Sequence, residues 1–192
     1  MFWHSSLSGR GPKSPNRSLA AVLLAMLALS VAGHSQRARE PLPGTTVHIY
    51  RTVNGVSLDL QVVEAAPEFS RPRPAIVFFF GGGWAKGTQK QFLPFAEELA
   101  RLGMVGILVD YRVSSRHKTT PNDAVDDAHA AMRWVKRNAV MLGIDPARVV
   151  AAGGSAGGHL ALATTLIAPR EQDTVSPAAS LLIGYNPVAD LR

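Results

Sequence analysis

Cysteine is absent from all 192 residues. That excludes a thiolate nucleophile, a disulfide framework and any thiolate metal site, and it leaves the redox compartment open. Charge is sparse too. Charged residues make up 18% of the chain against 46% hydrophobic, which fits a protein with a substantial core and excludes collagen-like or disordered composition. One sign of charge is missing at the start, since no acid precedes Glu40. Arg10, Lys13 and Arg17 of that opening contribute half of the formal net charge of +6; without them 17 basic residues face 14 acids. A surplus that small and scattered does not describe a nucleic-acid surface.

A membrane-spanning run is also lacking. Leu19 to Val31 is apolar but for Ser30, and thirteen residues reach only about 20 Å as a helix, against roughly 30 Å of bilayer hydrocarbon. No stable membrane span is expected. The preceding segment is polar and basic, and Ser30-Val31-Ala32 offers small residues for a cut. Basic, apolar, then small is the layout of a secretory signal peptide. The expected organisation is therefore a signal peptide over 1–32, a Pro- and Gly-bearing linker over 33–45, and a secreted or periplasmic domain over 46–192.

Within that domain the pattern alternates between strands and helices. Val47–Arg51 and Val56–Val63 flank Asn54-Gly55, a strong hairpin signal. Ala75–Phe80, Met104–Asp110, Val149–Ala152 and Ser180–Tyr185 are short apolar runs. Helical stretches are expected over 91–102 and 122–142, and after Ser155. Strands apolar on both faces, alternating with helices, predict an α/β fold: a mostly parallel sheet covered on both sides. Functional groups of such sheets gather at the carboxyl ends of the strands. The exits at Gly81, Asp110 and Gly153 are then neighbours.

Gly153-Gly154-Ser155-Ala156-Gly157 is a G-x-S-x-G match at a strand-to-helix junction, the context that gives this motif meaning. Ser155 would sit on a strained turn that lifts its hydroxyl clear of the sheet. The amide of Ala156, at the helix N-terminus, would face a developing oxyanion. The competing reading is a serine that merely caps its helix. Phe80-Gly81-Gly82-Gly83-Trp84 adds unobstructed backbone amides at a second strand exit, as acyl transfer requires opposite the nucleophile. A phosphate cradle is the other use of such glycines. Here the spacing is not G-x-G-x-x-G, no G-K-[ST] follows, and a Tyr-x-x-x-Lys pair is missing. No histidine–carboxylate cluster has metal-ligand spacing, so neither metal nor cofactor is expected.

Gly81-Gly82-Gly83-Trp84, Asp110-Tyr111-Arg112, Ala128 to Trp134, Gly143 to Arg148 and Gly153 to Leu160 follow one another in order. This series resembles the hormone-sensitive-lipase-like branch of the α/β-hydrolases, and is especially similar to secreted bacterial acetylxylan or carbohydrate esterases. The resemblance covers about 47–190. It implies Ser155 as the nucleophile and the amides of Gly82, Gly83 and Ala156 as the oxyanion hole. Asp110-Tyr111-Arg112 would be structural, with Trp134 and Asp145 as packing and turn positions. The implied substrate is a short-chain ester, small or borne on a polysaccharide.

Two features depart from that pattern. Phe80 stands where many members carry a histidine that braces the glycine loop, so packing is expected to hold the loop instead. The triad acid and histidine follow the serine in this fold, yet His159, Glu171, Asp173 and Asp190 are all that remain to choose from. His159 reads as a packed residue of the serine's own helix, Asp190 as a turn or pocket residue. His48 and His129 read as structural, His117 as a loop residue near the strand exits. The chain is thus expected to be the N-terminal part of the fold, without its last strands and without the triad Asp and His. It would be a feeble esterase or, alternatively, a catalytically dead binding remnant.

Overall fold

The structure, a computed structural model, describes Met1 and residues 40–190. The expected signal peptide and most of the expected linker lie outside the described residues. No helix among the described residues is long and apolar enough to cross a membrane.

Six strands form one sheet: β1 (Thr46–Val53), β2 (Val56–Val63), β3 (Arg73–Phe79), β4 (Val105–Val109), β5 (Ile144–Gly154) and β6 (Leu181–Tyr185). Their order is β1-β2-β4-β3-β5-β6. The first two strands form the expected hairpin, with Val53 opposite Val56 and both turn residues left-handed (Asn54 φ 50°, Gly55 φ 76°), the conformation of a type I′ turn. β2 meets β4 antiparallel, while β4, β3, β5 and β6 run parallel. The sheet is mixed, and its four parallel strands carry the site.

Alternation along β3 divides the core. Ala75, Val77 and Phe79 face a cluster that includes α3 (Pro121–Arg137) and α5 (Ala156–Leu166). Ile76 and Phe78 face the opposite cluster, which includes α1 (Leu93–Arg101). Two short helices, α2 (Ser114–His117) and α4 (Ala139–Leu142), and a 3₁₀ turn over Gln89–Phe92 complete the described set. Both faces of the central strands are buried, which is why β3 and β4 read as continuous apolar runs.

Local chemistry sets the element ends. Thr120 donates to Asp123 through both its amide (2.8 Å) and its hydroxyl (2.7 Å), and Pro121 follows at the first helical position, so α3 starts there. The single helix expected over 122–142 is instead two. Asn138 turns its side-chain amide back onto the Trp134 carbonyl (2.8 Å), which also accepts from the Asn138 backbone amide (3.0 Å), a local side-chain bond of the kind found at helix ends. The short α4 then ends on left-handed Gly143. β5 starts five residues earlier than expected because Ile144 pairs with Arg73 across an irregularity in register.

Arg112, two residues past Asp110, is tied to α3. Its Nε (2.8 Å), Nη2 (2.9 Å) and backbone amide (3.0 Å) all donate to the carboxylate of Asp127. Asp127 is fully buried, and burial pushes its carboxyl up from the usual range against the pull of those hydrogen bonds. Breaking a buried pair from one side leaves an uncompensated charge. Arg112→Ala is expected to cost about 3–5 kcal/mol, read from the urea midpoint. A shift equivalent to under about 1 kcal/mol would show that the pair contributes no more than a surface ion pair.

Candidate active site

Ser155 occupies the single residue between β5 and α5, with φ 52° and ψ −119°. For a non-glycine residue this left-handed backbone is strained. Packing enforces it. A β-carbon on Gly153 would lie 2.3 Å from the Gly157 carbonyl oxygen, and one on Gly157 would lie 2.0 Å from that of Phe79. Only glycine at both positions lets α5 start this close to the end of β3.

The Ser155 backbone is fully engaged. Its amide donates to the Tyr185 carbonyl (2.9 Å), and its carbonyl accepts from His159 (3.0 Å) and Val188 (3.2 Å). Its side chain makes no capping hydrogen bond, although the residue is exposed. This rejects the helix-cap reading. A serine kept in a strained conformation, with its hydroxyl presented to solvent and unused by the helix it precedes, is positioned for something other than capping.

The glycine loop adjoins it: a β-carbon on Gly81 would lie 3.5 Å from Ser155 Cβ. Three contacts hold the loop. The Gly81 amide donates to Gln91 Oε1 (2.6 Å). The Phe80 ring stacks on Tyr111, with centroids 4.1 Å apart, and Tyr111 Oη donates to the Phe80 carbonyl (2.7 Å). Further along, the amides of Ser114 and Ser115 donate to the carbonyls of Trp84 (2.9 Å) and Ala85 (3.2 Å). Packing by Phe80 was expected; the bracing hydrogen bonds from Gln91 and Tyr111 were not. Gln91 is polar and exposed in a helical stretch, and nothing in its spacing marks it as a brace.

With the Gly81 amide committed, those of Gly82 and Gly83 have no acceptor among the described hydrogen bonds. Ala156 opens α5, so its amide lacks a helical carbonyl to bond. The three amides expected at the oxyanion position are thus uncommitted, and the loop that carries two of them lies against the serine.

The remaining candidates are dispersed. Asp110 pairs with Arg116 (2.9 Å), and its carbonyl accepts from Tyr50 Oη (2.7 Å). Asp145 accepts from the Ala147 amide (2.9 Å) and Arg148 Nε (2.9 Å), the turn role expected. Trp134 packs beside the His48 ring (5.3 Å). His117 Nδ1 accepts from the Val113 amide (3.1 Å), and His129 Nε2 meets the Ala163 carbonyl (3.0 Å). Asp190 is exposed. His159 is buried on α5, edge-on to the Trp84 ring at 5.3 Å. Among the described residues no histidine hydrogen-bonds Ser155 Oγ, and no group of three or more His, Cys, Asp or Glu could hold a metal.

A mostly parallel sheet covered on both faces, with an exposed serine on a glycine-flanked turn beside a glycine loop, defines an α/β-hydrolase of the hormone-sensitive-lipase-like branch. Within it the chain belongs to the BD-FAE family, whose model matches residues 59–179. Carboxylesterase NlhH of Mycobacterium tuberculosis is 40% identical over 92 residues, 45% of this chain and 27% of that enzyme. A propionate-bound structure of Est2, a thermophilic esterase from the planctomycete Thermogutta terrifontis, is 47% identical with TM-score 0.73; the match covers 78% of this chain and 57% of that one. The same esterase phosphorylated by paraoxon is 45% identical with TM-score 0.73, covering 79% and 61%. The chain thus spans about a quarter of that curated relative and under two thirds of these solved ones.

Two outcomes follow from this geometry. Glycine relieves the Ser155 backbone and alanine does not, so Ser155→Gly is expected to exceed Ser155→Ala in unfolding free energy by about 1–3 kcal/mol; equal denaturation midpoints would show the turn to be unstrained. Burial also holds the imidazoles of His129 and His159 below their ordinary value of 6.5. As pH falls through that value the unfolded chain takes up protons before the folded one, so stability drops on acidification. The drop between pH 7 and 5 should be smaller in His129→Phe than in the wild type, relative to each protein's stability at pH 7.

Proposed function

We propose that the chain acts on short-chain carboxylic esters, with Ser155 Oγ attacking the acyl carbon and the amides of Gly82, Gly83 and Ala156 receiving the developing oxyanion. The observation that carries this reading is the strained, exposed Ser155 whose hydroxyl caps nothing. Est2's propionate complex supports a short acyl group, and the name carboxylesterase borne by NlhH supports a carboxylic ester as substrate. The exposure of Ser155 suits an alcohol too large to be enclosed, in keeping with an acetyl ester borne on a polysaccharide. The order of basic, apolar and small residues before Gly33 supports export.

No histidine holds Ser155 Oγ among the described residues, so the hydroxyl keeps its proton near neutrality and is a weak nucleophile. Loss of the histidine from a serine hydrolase site costs about 10⁶ in turnover and leaves roughly 10³–10⁴ over water from oxyanion stabilisation and binding. That same observation favours a second reading, a domain that binds an ester or a partner without turning it over.

A fluorophosphonate probe separates the two. One adduct at Ser155 by mass spectrometry, absent in Ser155→Ala, is the expected result and agrees with Est2's modification by paraoxon. Equal labelling of both proteins, or none of a folded wild type, overturns the nucleophile and leaves the binding reading.

A further inference from the structure

Two buried polar atoms near the serine have no hydrogen-bond partner among the described residues: Trp84 Nε1 and His159 Nδ1. They belong to rings in contact, 5.3 Å between centroids and 86° between planes. Buried polar groups are almost always satisfied, by protein or by ordered water. Two orphans on touching rings therefore call for one explanation. An indole N–H can only donate. A neutral imidazole protonated at Nε2 can only accept at Nδ1. The two are complementary, yet they make no direct hydrogen bond.

Their positions give the complementarity a use. Trp84 directly follows Gly83 and takes a left-handed backbone (φ 54°), a conformation that a bulky residue adopts only under outside constraint. Its carbonyl is held by the Ser114 amide (2.9 Å). His159 sits one helical turn beyond Ser155, its amide bonded to the Ser155 carbonyl (3.0 Å). One ring is thus fixed to the glycine loop and the other to the helix that carries the serine.

We propose that Trp84 and His159 are positioning residues, joined by one buried water that accepts from Trp84 Nε1–H and donates to His159 Nδ1. The bridge sets the left-handed turn at Trp84 and so fixes the direction of the Gly82 and Gly83 amides relative to Ser155. Neither ring touches the reacting atoms. Burial keeps His159 in its neutral form, so Nδ1 stays an acceptor. This assignment rests on the esterase reading for its purpose, and on the two orphan atoms alone for its existence.

The test uses the ¹⁵N-labelled full chain. Trp84→Phe identifies the Trp84 indole resonance among three tryptophans. In the wild type that indole N–H is expected to show a cross-peak to a long-lived water. His159→Phe keeps a ring but removes the acceptor, and it should abolish the cross-peak and speed indole exchange by about tenfold, the scale of one lost buried hydrogen bond. His159→Asn, whose Oδ1 replaces Nδ1, should restore both, which a packing role alone would not. An indole indifferent to His159→Phe, or no water cross-peak in the wild type, overturns the bridge.

The fluorophosphonate rate at Ser155 then reports on positioning. It should fall in Trp84→Phe and His159→Phe and recover in His159→Asn. If labelling is unchanged in the Phe variants while the cross-peak is lost, the bridge stands and its positioning role fails. If the wild type takes no label at Ser155, the esterase reading fails and the spectra still decide the bridge.

Discussion

At the site two stretches of backbone meet with no room for a side chain between them. A β-carbon on Gly157 would meet the carbonyl oxygens of Phe79 at 2.0 Å and Phe80 at 2.4 Å, so the first turn of α5 lies directly against the exit of β3. Almost everything distinctive about the site follows from that contact. It drives the chain through a turn that only strain permits at Ser155. It brings the glycine loop that leaves β3 alongside the serine, and it directs the open N-terminus of α5 toward the same spot. The dipole of that helix and the loop amides then act on one small volume, which is what stabilising an oxyanion requires.

That contact would be worth little if the glycine loop could drift. Glycine runs carry a high conformational entropy, and the loop is restrained from several sides at once: Gln91 on the Gly81 amide, Tyr111 on the Phe80 ring and carbonyl, Ser114 and Ser115 on the stretch beyond. Tyr111 is itself anchored, being fully buried and flanked by Asp110 and Arg112, each in an ion pair. A buried electrostatic knot at the β4 exit therefore reaches the serine through one phenol and one phenylalanine. Such an arrangement places the Ser155 side chain by layers of supporting contacts.

What could be read from sequence divides along the same physical line. The hairpin, the parallel strands and the serine turn are encoded in residues close together in the chain: Asn54-Gly55 selects a turn, apolar runs select buried strands, Gly153 and Gly157 bracket Ser155. The places of Ser155, Gly82, Gly83 and Ala156 at strand exits were legible for that reason, while their assigned roles rested on the family resemblance. Elements set by side-chain and cross-sheet contacts were not. The break at Asn138 coincides with a side-chain amide that shares the Trp134 carbonyl with the helical bond, and the early start of β5 depends on Arg73 pairing with Ile144. The Gln91 brace joins positions ten residues apart that share no pattern. Asp127 carries no local signal either, because its meaning comes from Arg112, fifteen residues away.

The division extends to the chemistry. The electrophile-stabilising half of acyl transfer is built from backbone: amides at a helix start and at a glycine loop, aimed by sterics. Backbone geometry is specified locally, by where glycine is allowed, so under the proposed reading Gly82, Gly83 and Ala156 supply it from within the described residues. The proton-accepting half needs a side chain brought to Ser155 Oγ from a distant strand exit, and among the described residues His48, His117, His129 and His159 are each engaged in local packing or hydrogen bonds elsewhere. A site in this condition discriminates by what it binds in the transition state. Under the proposed reading it lowers the energy of an oxyanion once formed, while no histidine among the described residues is placed to take the serine's proton. Its reactivity should therefore rise steeply with the electrophilicity of the acyl or phosphoryl centre, because a poor nucleophile depends on its partner for the driving force.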